Sequence, residues 1–207
     1  MVEKQIAQGI GTWSTLSAEM QEDMNLAISN WQASAEEGNL DAQYNLGNSS
    51  YNGHGMPHSI KDAARWFKKA ADRGHAKAQF NFAVVRAGGC GIAKNDAEAA
   101  KYFRLAAEQG LANAQRQLAV VIGMGRGVAK SEEEGTRWLR KAAEQGDAEA
   151  QCALGTVLQR GAEGVALEVD EAMDWYEKAA KQGHAQAKES MEALELSVNR
   201  VSFSQCI

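Results

Sequence analysis

Five glycines, Gly38, Gly74, Gly110, Gly146 and Gly183, stand 36, 36, 36 and 37 residues apart, and nearly the same phrase precedes each. Trp66-Phe-Lys-Lys-Ala-Ala-Asp-Arg-Gly74, Tyr102-Phe-Arg-Leu-Ala-Ala-Glu-Gln-Gly110, Trp138-Leu-Arg-Lys-Ala-Ala-Glu-Gln-Gly146 and Trp175-Tyr-Glu-Lys-Ala-Ala-Lys-Gln-Gly183 are four copies; Trp31 to Gly38 is a worn fifth. A period in this range specifies a repeat architecture, in which each unit buries its apolar face against its neighbours instead of around one central core.

Each unit reads as two helices. The first opens just after the closing glycine and carries Ala42, Leu46 and Gly47, repeated as Ala78-Phe82-Ala83, Ala114-Leu118-Ala119 and Ala150-Leu154-Gly155. Small residues flanking one large apolar residue let another helix come close on that face. A glycine-rich turn follows at Gly53-His-Gly55, Gly89-Cys-Gly91, Gly125-Arg-Gly127 and Gly161-Ala-Glu-Gly164, the last with one inserted residue. The second helix starts at a cap, Ser59, Asn95 or Ser131, with Asp62, Glu98 or Glu134 three residues on; the fourth unit has Glu168 there. The alanine pairs favour helix and close packing, and the aromatics Trp66, Tyr102, Trp138 and Trp175 are expected to fill the core opposite them.

Bulk properties exclude several classes. A net charge of -5 offers no basic patch to neutralise phosphates, so a nucleic-acid partner is not expected. The longest apolar stretch, near 118–122, is far too short to span a bilayer, so no membrane insertion is expected. The opening residues lack the basic start and apolar centre of a secretory signal. Three cysteines, Cys90, Cys152 and Cys206, fall at unrelated repeat positions. Reduced thiols and a cytoplasmic location are the simplest reading.

The order Ala-Gln-x-x-Leu-Gly, Gly-x-Gly-hydrophobic, Trp-hydrophobic-x-Lys-Ala-Ala-x-x-Gly resembles the Sel-one-like repeat, a relative of the tetratricopeptide repeat, over about residues 31–194. Tetratricopeptide units usually close on proline, whereas this chain has a single proline, Pro57, and closes on glycine. The resemblance implies an all-α superhelical solenoid of helical hairpins that acts as a non-catalytic adaptor or scaffold for another protein or peptide. The expected organisation is a segment 1–16, an N-terminal capping helix 17–38, repeats 39–74, 75–110, 111–146 and 147–183, a C-terminal capping helix 184–198, and a tail 199–207. The unpaired last helix leaves truncation or a homotypic contact open.

By analogy with tetratricopeptide relatives, the first helices line a groove. Its candidate contact residues are Tyr44, Asn45, Asn48, Tyr51, Phe80, Asn81, Val84, Arg116, Gln117 and Val120, with Tyr44, Tyr51, Phe80 and Arg116 as anchors of the types enriched at hot spots. Asn48 and Asn81 match the asparagines with which some relatives hold a C-terminal carboxylate, but Tyr44, Asn113 and Gln117 stand where basic residues would be needed.

Other motifs lose to structural readings. Gly123-Met-Gly-Arg-Gly-Val-Ala-Lys-Ser131 has Ala129 interrupting a phosphate-loop pattern and no strand before it. His54 and His58 share a turn with Pro57 and lack further ligands at metal spacing. No catalytic constellation and no cofactor motif is legible. The rivals are a small-molecule-binding or hydrolytic protein with a groove pocket, or a purely structural spacer.

Overall fold

The computed structural model describes residues 17–204. They form ten helices: α1 (Ala18–Glu36), α2 (Leu40–Asn52), α3 (Ile60–Asp72), α4 (Ala76–Gly88), α5 (Asp96–Glu108), α6 (Ala112–Met124), α7 (Glu132–Glu144), α8 (Ala148–Arg160), α9 (Val169–Lys181) and α10 (Ala185–Ser204). Among the described residues there is no strand, only an isolated bridge between Ala162 and Val165 in the turn that carries the inserted residue. The all-α repeat expected from the sequence is therefore the fold. The expectations for 1–16 and for Cys206 fall outside the described residues.

The chain divides at Ala106 and Ala107 into two compact units, each a run of helical hairpins. In both, the link from one hairpin to the next is a double hydrogen bond around the closing glycine. In the first unit the Gly74 N–H donates to the Ala71 carbonyl (3.0 Å) and the His75 N–H to the Ala70 carbonyl (3.1 Å). The glycine sits at φ +93°, where a side chain is strained. The next residue then caps the following helix: His75 Nδ1 accepts from the Ala78 N–H at 3.0 Å. In the second unit Asp147 and His184 close α7 and α9 and cap α8 and α10 in the same way. One residue thus ends a helix with its backbone and starts the next with its side chain.

The motif glutamine had no role assigned by sequence. Gln43, Gln79, Gln115 and Gln151 are all buried. Their Nε2 groups donate to the carbonyls of Ala35, Ala71, Ala107 and Ala143 at 3.0–3.2 Å. These carbonyls lie in the last turn of a helix, where each already accepts from the closing glycine N–H, so the glutamine fills the second acceptor position of the same oxygen inside the core. In the second unit the Gln115 and Gln151 oxygens accept in turn from Gln145 (2.7 Å) and Gln182 (2.8 Å).

The turn readings hold. Ser59, Asn95 and Ser131 accept from the backbone N–H three residues on at 3.2, 2.9 and 3.1 Å, while Glu168 makes no side-chain cap. The aromatic stripe needs correction. Tyr102 and Trp175 are buried as expected, but Trp66 and Trp138 are only half-buried, and beside Trp66 the fully enclosed ring is the next residue, Phe67. The lysine of Trp-x-x-Lys lies three residues later on the same helix face. Lys69, Lys141 and Lys178 lie over Trp66, Trp138 and Trp175 at 4.4, 4.1 and 3.8 Å from the ring centres, so each indole carries a cation over its face, at the surface for Trp66 and Trp138.

Candidate functional site

In the first unit the expected contact residues of α2 and α4 gather on one face. Tyr51 (41% exposed) and Val84 (39%) are large apolar side chains left open to solvent. Together with Phe67, Phe80, Asn81 and Val85 they line a cavity of about 130 Å³. Asn81 donates from Nδ2 to Asn48 Oδ1 at 3.0 Å, so the two asparagines form a cross-helix pair beside it. Phe80 is half-buried and tilts against Phe103, ring centres 5.8 Å apart. Asn45 is half-buried on the same helix. Tyr44 does not line the cavity; its ring tilts against Phe67 (centres 6.1 Å apart) and stacks on His75, with ring centres 4.9 Å apart and planes 27° off parallel. The His75 Nε2 faces Asp41 Oδ1 at 3.1 Å; with Nδ1 accepting the cap bond, the ring there is the Nε2–H tautomer.

Sequence reasoning missed Phe67. It belongs to α3, a second helix, yet reaches the groove wall because Gly47 on α2 leaves the path open: a Cβ built there would lie 2.5 Å from two of its ring carbons. The available signal was glycine, in place of alanine, at that repeat position. The same device recurs in the second unit, where Tyr176 of α9 passes Gly155 and its hydroxyl lies 2.8 Å from Gln159 Oε1 and 3.1 Å from Thr156 Oγ1.

The other candidates lie in the second unit. Arg116 is tied to Asp147, the cap of α8, with Nε 3.1 and 3.2 Å from its two carboxylate oxygens. Gln117 is half-buried, and Val120 is 39% exposed with Met124 (60%) one turn on.

A more polar cavity of about 460 Å³ opens in the first unit between the end of α3 and the middle of α5. Tyr102 lies on its wall and donates from its hydroxyl to Asp72, which is 2.8 Å from Lys68 Nζ. Burial, reinforced by the Asp72 bond, raises the Tyr102 pKa and keeps the phenol protonated. Burial opposes ionisation of Asp72, but Lys68 and Tyr102 outweigh it and hold its pKa below the ordinary value. The three side chains neutralise one another and brace two helices.

Of the remaining motifs, His58 Nδ1 lies 2.7 Å from the Tyr51 carbonyl, and burial lowers the pKa of His54. Ser131 accepts the Glu134 N–H instead of facing a ligand. Cys152 is buried, which raises its thiol pKa; Cys90 is exposed. Among the described residues no helix is long and apolar enough to cross a membrane, and no cluster of three metal-type ligands occurs.

No curated protein matches the chain. Among solved structures it is similar to a protective antigen of uropathogenic Escherichia coli that displays an SLR fold, at 29% identity and a TM-score of 0.79. The match covers 86% of this chain and 41% of that one. It is also similar to a Sel1 repeat protein from Oxalobacter formigenes, at 32% identity and a TM-score of 0.72, covering 78% of this chain and 46% of that one. The chain thus spans less than half the length of either. The Sel1 repeat family model matches residues 40–75, 76–111, 112–147 and 148–184, so each match holds one complete helical hairpin, from α2–α3 to α8–α9. With four consecutive hairpins matched, and with the motif glutamine and the closing glycine bonded alike in each, the chain belongs to the Sel1 repeat family.

Proposed function

We propose that this protein is a non-catalytic protein-interaction module, and that its contact surface in the first unit is the face of α2 and α4 bearing Asn45, Asn48, Tyr51, Phe80, Asn81 and Val84. Membership of a family of interaction modules supports the general class. The observation that carries the location is the exposure of Tyr51 and Val84 around a cavity walled by Phe67 and Phe80. Large apolar side chains beside an aromatic-lined hollow are the usual anatomy of a contact centre. Tyr44 and Arg116 fit this role less well, because one is stacked on His75 and the other neutralises Asp147. They serve better as braces. Gln117 and Val120, with Met124, form the corresponding exposed face of α6 in the second unit.

The test is capture of partner proteins from the source cell by the wild type and by Tyr51→Asp/Val84→Asp. Leu167→Asp, on an exposed leucine in the turn before α9, serves as control. Loss of specific capture in the double variant alone, at unchanged helicity and melting temperature, supports the surface. Equal capture by all three proteins rejects it.

A further inference from the structure

We propose that the first-unit cavity receives one uncharged side chain of the partner, of leucine or phenylalanine size, projecting from a peptide segment; this rests on the interaction reading above. Its six lining residues, Tyr51, Phe67, Phe80, Asn81, Val84 and Val85, include three aromatics and two valines and carry no charge. No charged side chain lines the cavity; Arg86, next to Val85, bonds to Glu98 and to the Ala93 carbonyl (2.6 Å), and Asp41 faces His75. An ionic side chain would enter without a counter-ion in the lining, and burying such a charge is strongly unfavourable. An apolar one exchanges water for aromatic contacts.

Size narrows the occupant. About 130 Å³ approaches the volume of an apolar cavity that holds one benzene-sized group, and falls well short of a drug-sized ligand pocket. The occupant is therefore a side chain and not a cofactor or metabolite. The adjoining asparagine pair extends the match to a peptide. Because Asn81 Nδ2 bonds to Asn48 Oδ1, the Asn81 oxygen and the Asn48 amide group remain as one acceptor and one donor, the complement of a peptide unit. Phe67 makes the cavity possible, and Gly47 makes Phe67 possible, so the glycine that reads as a packing residue also sets the depth of the site.

The test uses N-acetyl-leucinamide, N-acetyl-phenylalaninamide and N-acetyl-lysinamide as probes, followed by NMR on the full chain. Saturable shifts at Tyr51, Phe80, Asn81 and Val84 are expected for the first two, with millimolar dissociation constants given so few atoms, and at least tenfold weaker binding of the lysine probe. Val84→Phe, which fills the cavity from an exposed position, should abolish the shifts while leaving the melting temperature unchanged. Absence of saturable shifts, equal response to the lysine probe, or unaltered binding by Val84→Phe overturns the proposal. Capture that depends on Tyr51 and Val84 without probe binding would leave the interaction reading standing and remove this occupant. Probe binding with capture unaffected by Tyr51→Asp/Val84→Asp would do the reverse.

Discussion

Gly47 and Phe67 are in such close register that a single methyl group between them would overlap the ring, its carbon falling 2.5 Å from two ring atoms. The contact fixes how closely α2 and α3 approach, and the two side chains are expected to behave as one unit under mutation. Gly47→Ala should destabilise by about 1–3 kcal/mol, the usual range for overpacking. Phe67→Leu should be less harmful in the Gly47→Ala background than alone. Urea denaturation of the four-member cycle measures the coupling; additive effects would mean that the helices are held apart by something else.

The closing glycines pose a different constraint. Gly146 lies at φ +89°, but no atom is within 4 Å of a Cβ built there. The penalty is conformational alone. Gly146→Val should lower the melting temperature markedly, with a cost of at least the roughly 1–2 kcal/mol of a left-handed residue, whereas Gly146→Asn should cost less because asparagine tolerates that region. Equal losses for both would point to a hidden steric clash.

The buried glutamines should differ in a predictable order. Gln151→Met removes two hydrogen bonds, its donation to the Ala143 carbonyl and its acceptance from Gln182, whereas Gln43→Met removes only the donation to the Ala35 carbonyl, since the Gln43 oxygen has no partner among the described residues. With about 0.5–1.5 kcal/mol for each hydrogen bond lost, chemical denaturation should find Gln151→Met the more damaging. The reverse order would show that water replaces the missing donors in the second unit.

Trp138→Ala is expected to fall below the roughly 3–5 kcal/mol of a fully buried aromatic, because the indole is half-buried beneath Lys141. Tyr176→Ala should reach that range, since its ring is fully enclosed. Equal costs from equilibrium unfolding would return the tryptophan to the core.

Acid should act through Glu171. The bond from Arg140 is the leading cause of its lowered pKa, and Trp175 Nε1 adds a bond at 3.0 Å. A carboxyl depressed in the folded state stabilises above its unfolded pKa, and this contribution is lost as pH falls through the folded value. Stability against pH should therefore decline less steeply below about pH 4 in Glu171→Gln than in the wild type. Parallel acid limbs would show that the pair contributes nothing.

Repeats announce themselves, which is why the hairpins, their caps and their glycine stops could all be read from spacing. What spacing could not show is direction. Phe67 and Trp66 are neighbours on one helix, both aromatic, and the glycine at Gly47 opens the path for the ring that faces in. Gln43 and its counterparts were visible as a motif, but a polar residue in a core makes sense only once the helix-end carbonyl it bonds to is located. The candidate groove was legible as a set of positions. Tyr51, Phe80, Asn81 and Val84 do line a common cavity, whereas Tyr44 and Arg116 are engaged by His75 and Asp147, partners 31 residues away along the chain. Such pairings across the repeat depend on residues that vary from unit to unit.

The residue that ends one helix with its backbone and begins the next with its side chain makes the two connections of the repeat unequal. Between hairpins there is no slack: adding a residue at His75 or Asp147 would separate the stop from the start and damage both helices. The other connection can lengthen, as Gly161 to Glu168 does while still returning a Glu168 N–H to the Leu158 carbonyl at 2.9 Å. Variation in length is therefore channelled to the turn inside each hairpin, which can lengthen without disturbing the register of its helices.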